Sequence, residues 1–157
     1  MSSSQLENWM RVALRACEQG LAEGQSPFGA AIIDPDGQVV CAEYNRVDAN
    51  NDPSAHAEVL AIRAACEALA TTTLEDHWLV ATGEPCVMCA SVALTTAIRN
   101  VAFGADCRFI DSVGFKTWGI TCDDVFSLAE VDLQLEGYIL RQRCEALLRE
   151  ARPSRSI

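Results

Sequence analysis

The chain has 157 residues, half of them hydrophobic and 22% charged, with 22 Asp and Glu against 12 Lys and Arg for a net charge of −10. That length supports one domain with a substantial core and no need of disulfide staples, and the composition excludes wholesale disorder. The acidic balance argues against a dedicated nucleic-acid binder, because such binding depends on Lys and Arg neutralising phosphates.

Lys116 is the only lysine. Arg141, Arg143, Arg149, Arg152 and Arg155 cluster late in the chain, where their spacing among apolar residues reads as the solvated face of a helix. No apolar run approaches the ~18 residues of a membrane span. The segment 1–14 carries Glu7 and Arg11 and lacks the uncharged core of a secretory signal, so a soluble cytoplasmic protein is expected. Of the eight cysteines, six have irregular spacing and read as buried reduced thiols. Cys86 and Cys89 stand apart.

In chain order, Leu6, Met10, Ala13, Leu14, Cys17 and Leu21 predict an amphipathic helix from Gln5 to Glu23, ended by Gly20 or Gly24. Two β-rich runs, 28–33 and 38–44, flank the turn Asp34-Pro35-Asp36-Gly37 and predict a hairpin. A polar loop, 46–53, leads to a helix whose apolar positions run from Ala57 to Leu69, with Ser54 or Asp52 as its cap. A buried strand at 77–82, a helix at 86–97 and a strand at 100–104 follow. The stretch 105–129 reads as an irregular loop with at most one short helix. A strand at 131–136 and a helix at 139–151, stopped by Pro153, complete the order. A hairpin followed by βαβ units predicts an α/β fold, a mixed five-stranded sheet in a three-layer sandwich, with the whole chain as one domain.

The chemistry concentrates in His56-Ala57-Glu58 and Pro85-Cys86-Val87-Met88-Cys89, each opening a predicted helix. Two cysteines three apart at a helix start present both sulfurs to one side, where the helix dipole favours thiolate. His56 supplies a third ligand, and three protein ligands to a tetrahedral zinc leave one position for water. Glu58, two residues from a ligand, is placed to take a proton from that water. A Cys-x-x-Cys redox pair and a closed structural site completed by Cys107 or Cys122 are the competing readings. His77 has no such company and reads as structural.

H-x-E followed by P-C-x-x-C is the signature of zinc nucleobase deaminases. With Pro27-Phe28-Gly29-Ala30, Asn45, the run Asn51-Asp52-Pro53-Ser54-Ala55-His56-Ala57-Glu58 and Glu84-Pro85-Cys86-Val87-Met88-Cys89, the chain resembles the cytidine and deoxycytidylate deaminase-like superfamily. The likeness, over about residues 6–104, is to the branch of guanine deaminases and tRNA adenosine deaminases. It implies a cytidine deaminase-like fold, zinc on His56, Cys86 and Cys89, Glu58 as proton shuttle, and hydrolytic deamination of a cyclic amidine with release of ammonia. It also implies a homodimer paired through helices near the zinc. Phe28, Asn45, Ala57 and Trp118 are the candidate substrate contacts: Phe28 and Trp118 by stacking, Asn45 by its carboxamide.

Two departures bear on the substrate. The acidic G-F-D-D-like segment of guanine deaminases is matched here by Val113-Gly114-Phe115-Lys116-Thr117-Trp118, and the chain ends Arg152-Pro153-Ser154-Arg155-Ser156-Ile157 without their closing aromatic. The K-x-G-A-x-G-S stretch of tRNA-editing members is absent after Phe103-Gly104. Gly83 stands where a bulkier residue is usual and is expected to widen or reshape the pocket. The resulting expectation is a small-molecule aminohydrolase acting on a free guanine-type purine, an isocytosine or cytosine analogue, or an aminotriazine. A tRNA editor and a catalytically idle zinc-binding scaffold are the alternatives.

Overall fold

The computed structural model describes residues 1–151. The Pro153 stop and the solvated-face reading of Arg152 and Arg155 lie outside that range.

Helix α1 (Ser3–Ala22) starts where the Ser2 side chain accepts from the Gln5 N–H at 3.2 Å. It ends at the C-cap Glu23 ahead of left-handed Gly24, so Gly20 lies inside it. Strands β1 (Gly29–Ile33) and β2 (Val39–Tyr44) form the expected antiparallel hairpin. Its turn is fixed by the Asp34 carboxylate, which accepts from the N–H groups of Asp36 and Gln38, and by Gly37 at φ +85°, a conformation that favours glycine. Strands β3 (Trp78–Gly83), β4 (Asn100–Ala105) and β5 (Gln134–Glu136) complete the sheet. The order is β2-β1-β3-β4-β5, with β1 antiparallel to β3 and β3, β4 and β5 mutually parallel.

The period-two alternation of the strands divides the core. Ala31, Ile33, Trp78 and Val80 point to one face, where they pack with Leu6, Trp9, Met10 and Leu14 of α1 and with Leu148 of the last helix. Ala30, Ile32, Leu79 and Ala81 point to the other, against Ile62, Ala65, Ala90 and Phe126. Both central strands are buried on both sides, as the three-layer sandwich requires. The second face is covered by α3 (Ala57–Leu69), α4 (Val87–Thr95) and α6 (Cys122–Leu128); α7 (Arg141–Glu150) lies with α1.

Several local expectations need correction. A one-turn helix α2 (Val47–Asn50) occupies the polar loop and ends at Asn51 with φ 48°. Neither Ser54 nor Asp52 caps α3: the N-cap is His56, and Asp52 instead accepts from the backbone and hydroxyl of Ser54. Most consequentially, the stretch read as irregular holds both α5 (Cys107–Ser112) and α6. Each is too short to display a helical period, yet each has a capping signal. Asp106 accepts from Phe109 N–H at 2.7 Å, and Thr121 with Asp124 forms a capping box. The last strand is confined to Gln134–Glu136, half the expected length.

Candidate active site

The site forms where α3 and α4 begin, next to the carboxyl ends of β3 and β4. A backbone hydrogen bond from Arg46 N–H to Ala55 O at 3.0 Å closes the loop ahead of α3, and His56 N–H donates to Ser54 O at 2.8 Å. These bonds set His56 at the helix mouth in an extended conformation. Pro85 has no N–H to satisfy and directs the chain from β3 into α4, of which Cys86 is the N-cap and Cys89 the third residue. Thus all three predicted ligands stand at two helix N-termini.

The Cys86 and Cys89 sulfurs are 3.7 Å apart, and they lie 3.6 and 3.4 Å from His56 Nδ1. Zn–S bonds of about 2.3 Å and Zn–N bonds of about 2.0–2.1 Å give tetrahedral edges of roughly 3.8 Å between sulfurs and roughly 3.6 Å from sulfur to nitrogen. The observed triangle has those dimensions, so the donor set fits a single tetrahedral ion with one vertex left over. The proton chemistry agrees: a hydrogen bond from the Cys89 thiol, reinforced by His56, holds Cys86 down to about 4, while Cys89 itself is raised. One proton is shared where a divalent cation displaces it. Among the described residues no other group of three His, Cys, Asp or Glu side chains converges in this way. Cys107 and Cys122 are buried elsewhere and do not join the triangle, which removes the closed four-ligand reading.

Glu58, the second residue of α3, is 5% exposed and faces the same cleft. Burial pushes its carboxyl up to about 7; the charge on His56 opposes this and that on Cys86 adds to it. The cleft encloses about 380 Å³ up to its open mouth. Phe28 forms one wall, edge-to-face with Phe115 at 5.1 Å between centroids and 84° between planes. Asn45 is buried, with Oδ1 accepting from Val47 N–H at 3.1 Å. Its Nδ2 has no partner among the described residues. Ala57 is fully buried between His56 and Glu58 and contributes no wall of the cleft.

Trp118 is placed differently from the expectation. It is 69% exposed, at φ +66°, and outside the residues lining the cleft. The buried aromatic on that side is Phe115, three residues earlier, because Phe115 and Thr117 turn inward and Lys116 and Trp118 outward. Gly83 does not widen the cleft either: a Cβ there would meet Ile110 Cδ1 at 2.9 Å and Phe28 Cε1 at 3.2 Å. The missing side chain's space is filled by those two residues, so the pocket is reshaped.

Glu84, part of the Glu84-Pro85-Cys86-Val87-Met88-Cys89 run, has a role that the run itself does not announce. It is 7% exposed, lines the cleft, and spreads its carboxylate between the first N–H of α5 and the first N–H of α6, accepting from Cys107 at 2.9 Å and from Cys122 at 3.2 Å. One anion thereby holds the starts of two helices and complements both dipoles. A glutamate immediately before Pro-Cys was the available signal. Its partners lie 23 and 38 residues away and have no local signature.

Comparison with known proteins agrees with this arrangement. The cytidine and deoxycytidylate deaminase zinc-binding region matches residues 3–105. The chain belongs to this family. The guanine deaminase of Bacillus subtilis (strain 168) is 36% identical over 126 residues, covering 80% of this chain and 76% of that protein. The tRNA-specific adenosine deaminase of Aquifex aeolicus (strain VF5) is 39% identical over 99 residues, 63% of this chain and 65% of that protein, just under two thirds of its length. Among solved structures, guanine deaminase from Nitrosomonas europaea superposes with a TM-score of 0.84 at 28% identity, over 92% of this chain and 82% of that one. The expected fold is therefore met by structure and family alike, and the zinc-binding character and hydrolytic deaminase class by the family together with the ligand triangle. The redox-pair reading of Cys86 and Cys89 gives way to the metal site.

Proposed function

We propose that this deaminase acts on a free amino-substituted heterocycle, a guanine-type purine, an isocytosine or cytosine analogue or an aminotriazine, and replaces its amino group with an oxo group. The observation that carries this reading is the narrow cleft between Phe28 and the Ile110–Thr117 wall, with the ligand triangle and Glu58 at its floor. Its aromatic and aliphatic sides suit a flat ring, and the ligand triangle and Glu58 lie together at one end.

A zinc ion on His56, Cys86 and Cys89 supplies the Lewis acid that makes water reactive as hydroxide at neutral pH. Glu58 takes the proton from the attacking water and delivers it to the ring nitrogen of the amidine. The carbon bearing the amine then carries both oxygen and nitrogen. Glu58 moves the second proton from that oxygen to the amine, the C–N bond breaks, and ammonia leaves as the carbonyl forms. Phe28 stacks or packs on the ring, and the free Asn45 Nδ2 donates to a ring nitrogen or carbonyl. Ala57 fixes the two-residue spacing between ligand and proton carrier.

The second reading, a tRNA adenosine deaminase, is favoured by the similarity to the Aquifex protein. The net charge of −10 and the single lysine weigh against it, since a tRNA substrate rewards a basic surface. The two are separated by ammonia release from zinc-loaded protein across free bases, nucleosides, aminotriazines and a tRNA, with Glu58→Ala as the blank. Turnover of a free base supports the first reading; turnover of tRNA alone overturns it. Zinc without any turnover leaves the idle scaffold.

The proposal extends to one domain spanning the chain and to a homodimer, supported by the half-exposed Met88, Val92 and Leu94 on the metal-bearing helix α4. A monomeric sedimentation mass would refute the dimer. The eight free cysteines suit a reducing, cytoplasmic location.

A further inference from the structure

The cleft has one side whose chemistry the deamination itself does not use. From Phe115 to Trp118 the chain alternates inward and outward, with Phe115 and Thr117 buried and Lys116 and Trp118 exposed. Lys116 nevertheless lines the cleft, which puts it at the mouth. Its ammonium sits 5.6 Å from the centre of the Trp118 ring, a cation–π contact that steadies the side chain without consuming its N–H groups as an ion pair would. Among the described residues Lys116 has no carboxylate partner, whereas six arginines do.

The other polar groups on this side are already committed. Thr117 donates its backbone N–H to Asp111 Oδ1 at 2.6 Å and its hydroxyl to Asp111 Oδ2 at 3.0 Å. Each oxygen of Glu84 accepts one helix N–H, which holds the carboxylate between the two helix starts, and a carboxylate has no donor to offer. The remaining walls, Phe28, Ile110 and Phe115, offer no polar side-chain atom. A ligand edge facing the mouth on the α5–α6 side therefore meets one uncommitted side-chain donor, and it is a cation with three N–H groups and no acceptor.

We propose that Lys116 is a specificity-determining residue that selects, among amino-substituted heterocycles, those turning an exocyclic carbonyl toward the mouth and rejects those turning a second amino group there. A carbonyl oxygen receives a charge-assisted hydrogen bond from the ammonium. An amino group meets donor against donor, a contact that gains no hydrogen bond and sets partial positive charge against the ammonium. The favoured substrate class is thus the oxo-amino ring, as in guanine or isocytosine, over the diamino ring. This inference rests on the free-heterocycle reading above.

The test uses zinc-loaded full-length protein and two matched pairs, guanine with 2,6-diaminopurine and isocytosine with 2,4-diaminopyrimidine. For each pair the kcat/KM ratio of oxo to diamino compound is measured in the wild type, Lys116→Met and Lys116→Arg. Intrinsic reactivity cancels because the same compounds are compared between proteins. Lys116→Met is expected to lower the ratio about tenfold, mainly by raising KM for the oxo compound, and Lys116→Arg to restore most of it. If Lys116 serves only as packing or as a counter-charge for Glu58 and Glu84, both members change together and the ratio holds, which overturns the proposal while the free-heterocycle reading stands. If the wild type releases ammonia from none of the four compounds nor from the wider panel, that reading itself fails and takes this inference with it.

Discussion

The two sides of the cleft are built by different means. On one side, His56, Glu58, Cys86 and Cys89 occupy the first turns of α3 and α4, and all four lie within two short motifs. On the other, Ile110, Phe115, Lys116 and Thr117 are carried on and after α5, a helix of six residues whose start is held by a carboxylate from β3's end. The first side is a local construction and the second a tertiary one. The ligand triangle resides in the first, where one helix turn brings Cys86 and Cys89 together and the start of a neighbouring helix adds His56. Under the proposal above, substrate choice resides in the second, which shares no residue with the metal triangle.

Cutting into the first side should have the largest effects. Cys89→Ser is expected to abolish stoichiometric metal, about one zinc per chain in the wild type by elemental analysis, together with all turnover. Glu58→Gln is expected to keep the zinc while ammonia release falls by about 10²–10⁴-fold, the range for losing a positioned proton carrier. Retained zinc with retained turnover would remove Glu58 from the mechanism.

On the second side, the expected losses are in stability and substrate binding, with metal content unchanged. Glu84→Ala strands the first N–H of both α5 and α6, and should cost about 3 kcal/mol in denaturant unfolding. For a chain of this size that corresponds to roughly 6–12 °C in Tm. If Glu84→Ala unfolds like the wild type, the two helices are held by other means. Phe115→Leu removes the edge-to-face partner of Phe28, with an expected loss of about 1 kcal/mol and a higher KM at nearly constant kcat. Trp118→Ala should shift unfolding by less than ~0.5 kcal/mol, as befits a largely exposed side chain. A loss as large as that of Glu84→Ala would show that Trp118 has a packing role that its exposure in this structure hides.

The extent to which each part could be read from the chain follows the same division. The hairpin turn, the amphipathic α1 and the βαβ order were legible because alternation, helical spacing and Asp-Pro-Asp-Gly are local patterns. The cap of α3 differs from the expected Ser54 or Asp52 because those two satisfy each other in their own turn, leaving His56 to stand at the helix start. Helices α5 and α6 escaped because six and seven residues give too few apolar repeats to reveal a 3.6-residue period. Their caps, Asp106 and the Thr121–Asp124 box, were the only local trace. Trp118 offers a stacking wall on the sequence, but the inward positions of that stretch fall to Phe115 and Thr117.

The sequence by itself pointed to the sandwich and to the three ligands, because the strands and helices carry local periodicity and the ligands sit in two short motifs, His56-Ala57-Glu58 and Pro85-Cys86-Val87-Met88-Cys89, whose joint pattern is specific although they meet across 30 and 33 positions. Only the tertiary structure decided that Glu84 ties two distant helices, that Phe28 and Ile110 take up the room beside Gly83, and that the lone lysine stands at the mouth. Those facts depend on which residues meet across 20 to 40 positions of chain, and a backbone N–H seeking an acceptor leaves no mark in the sequence of the partner it finds.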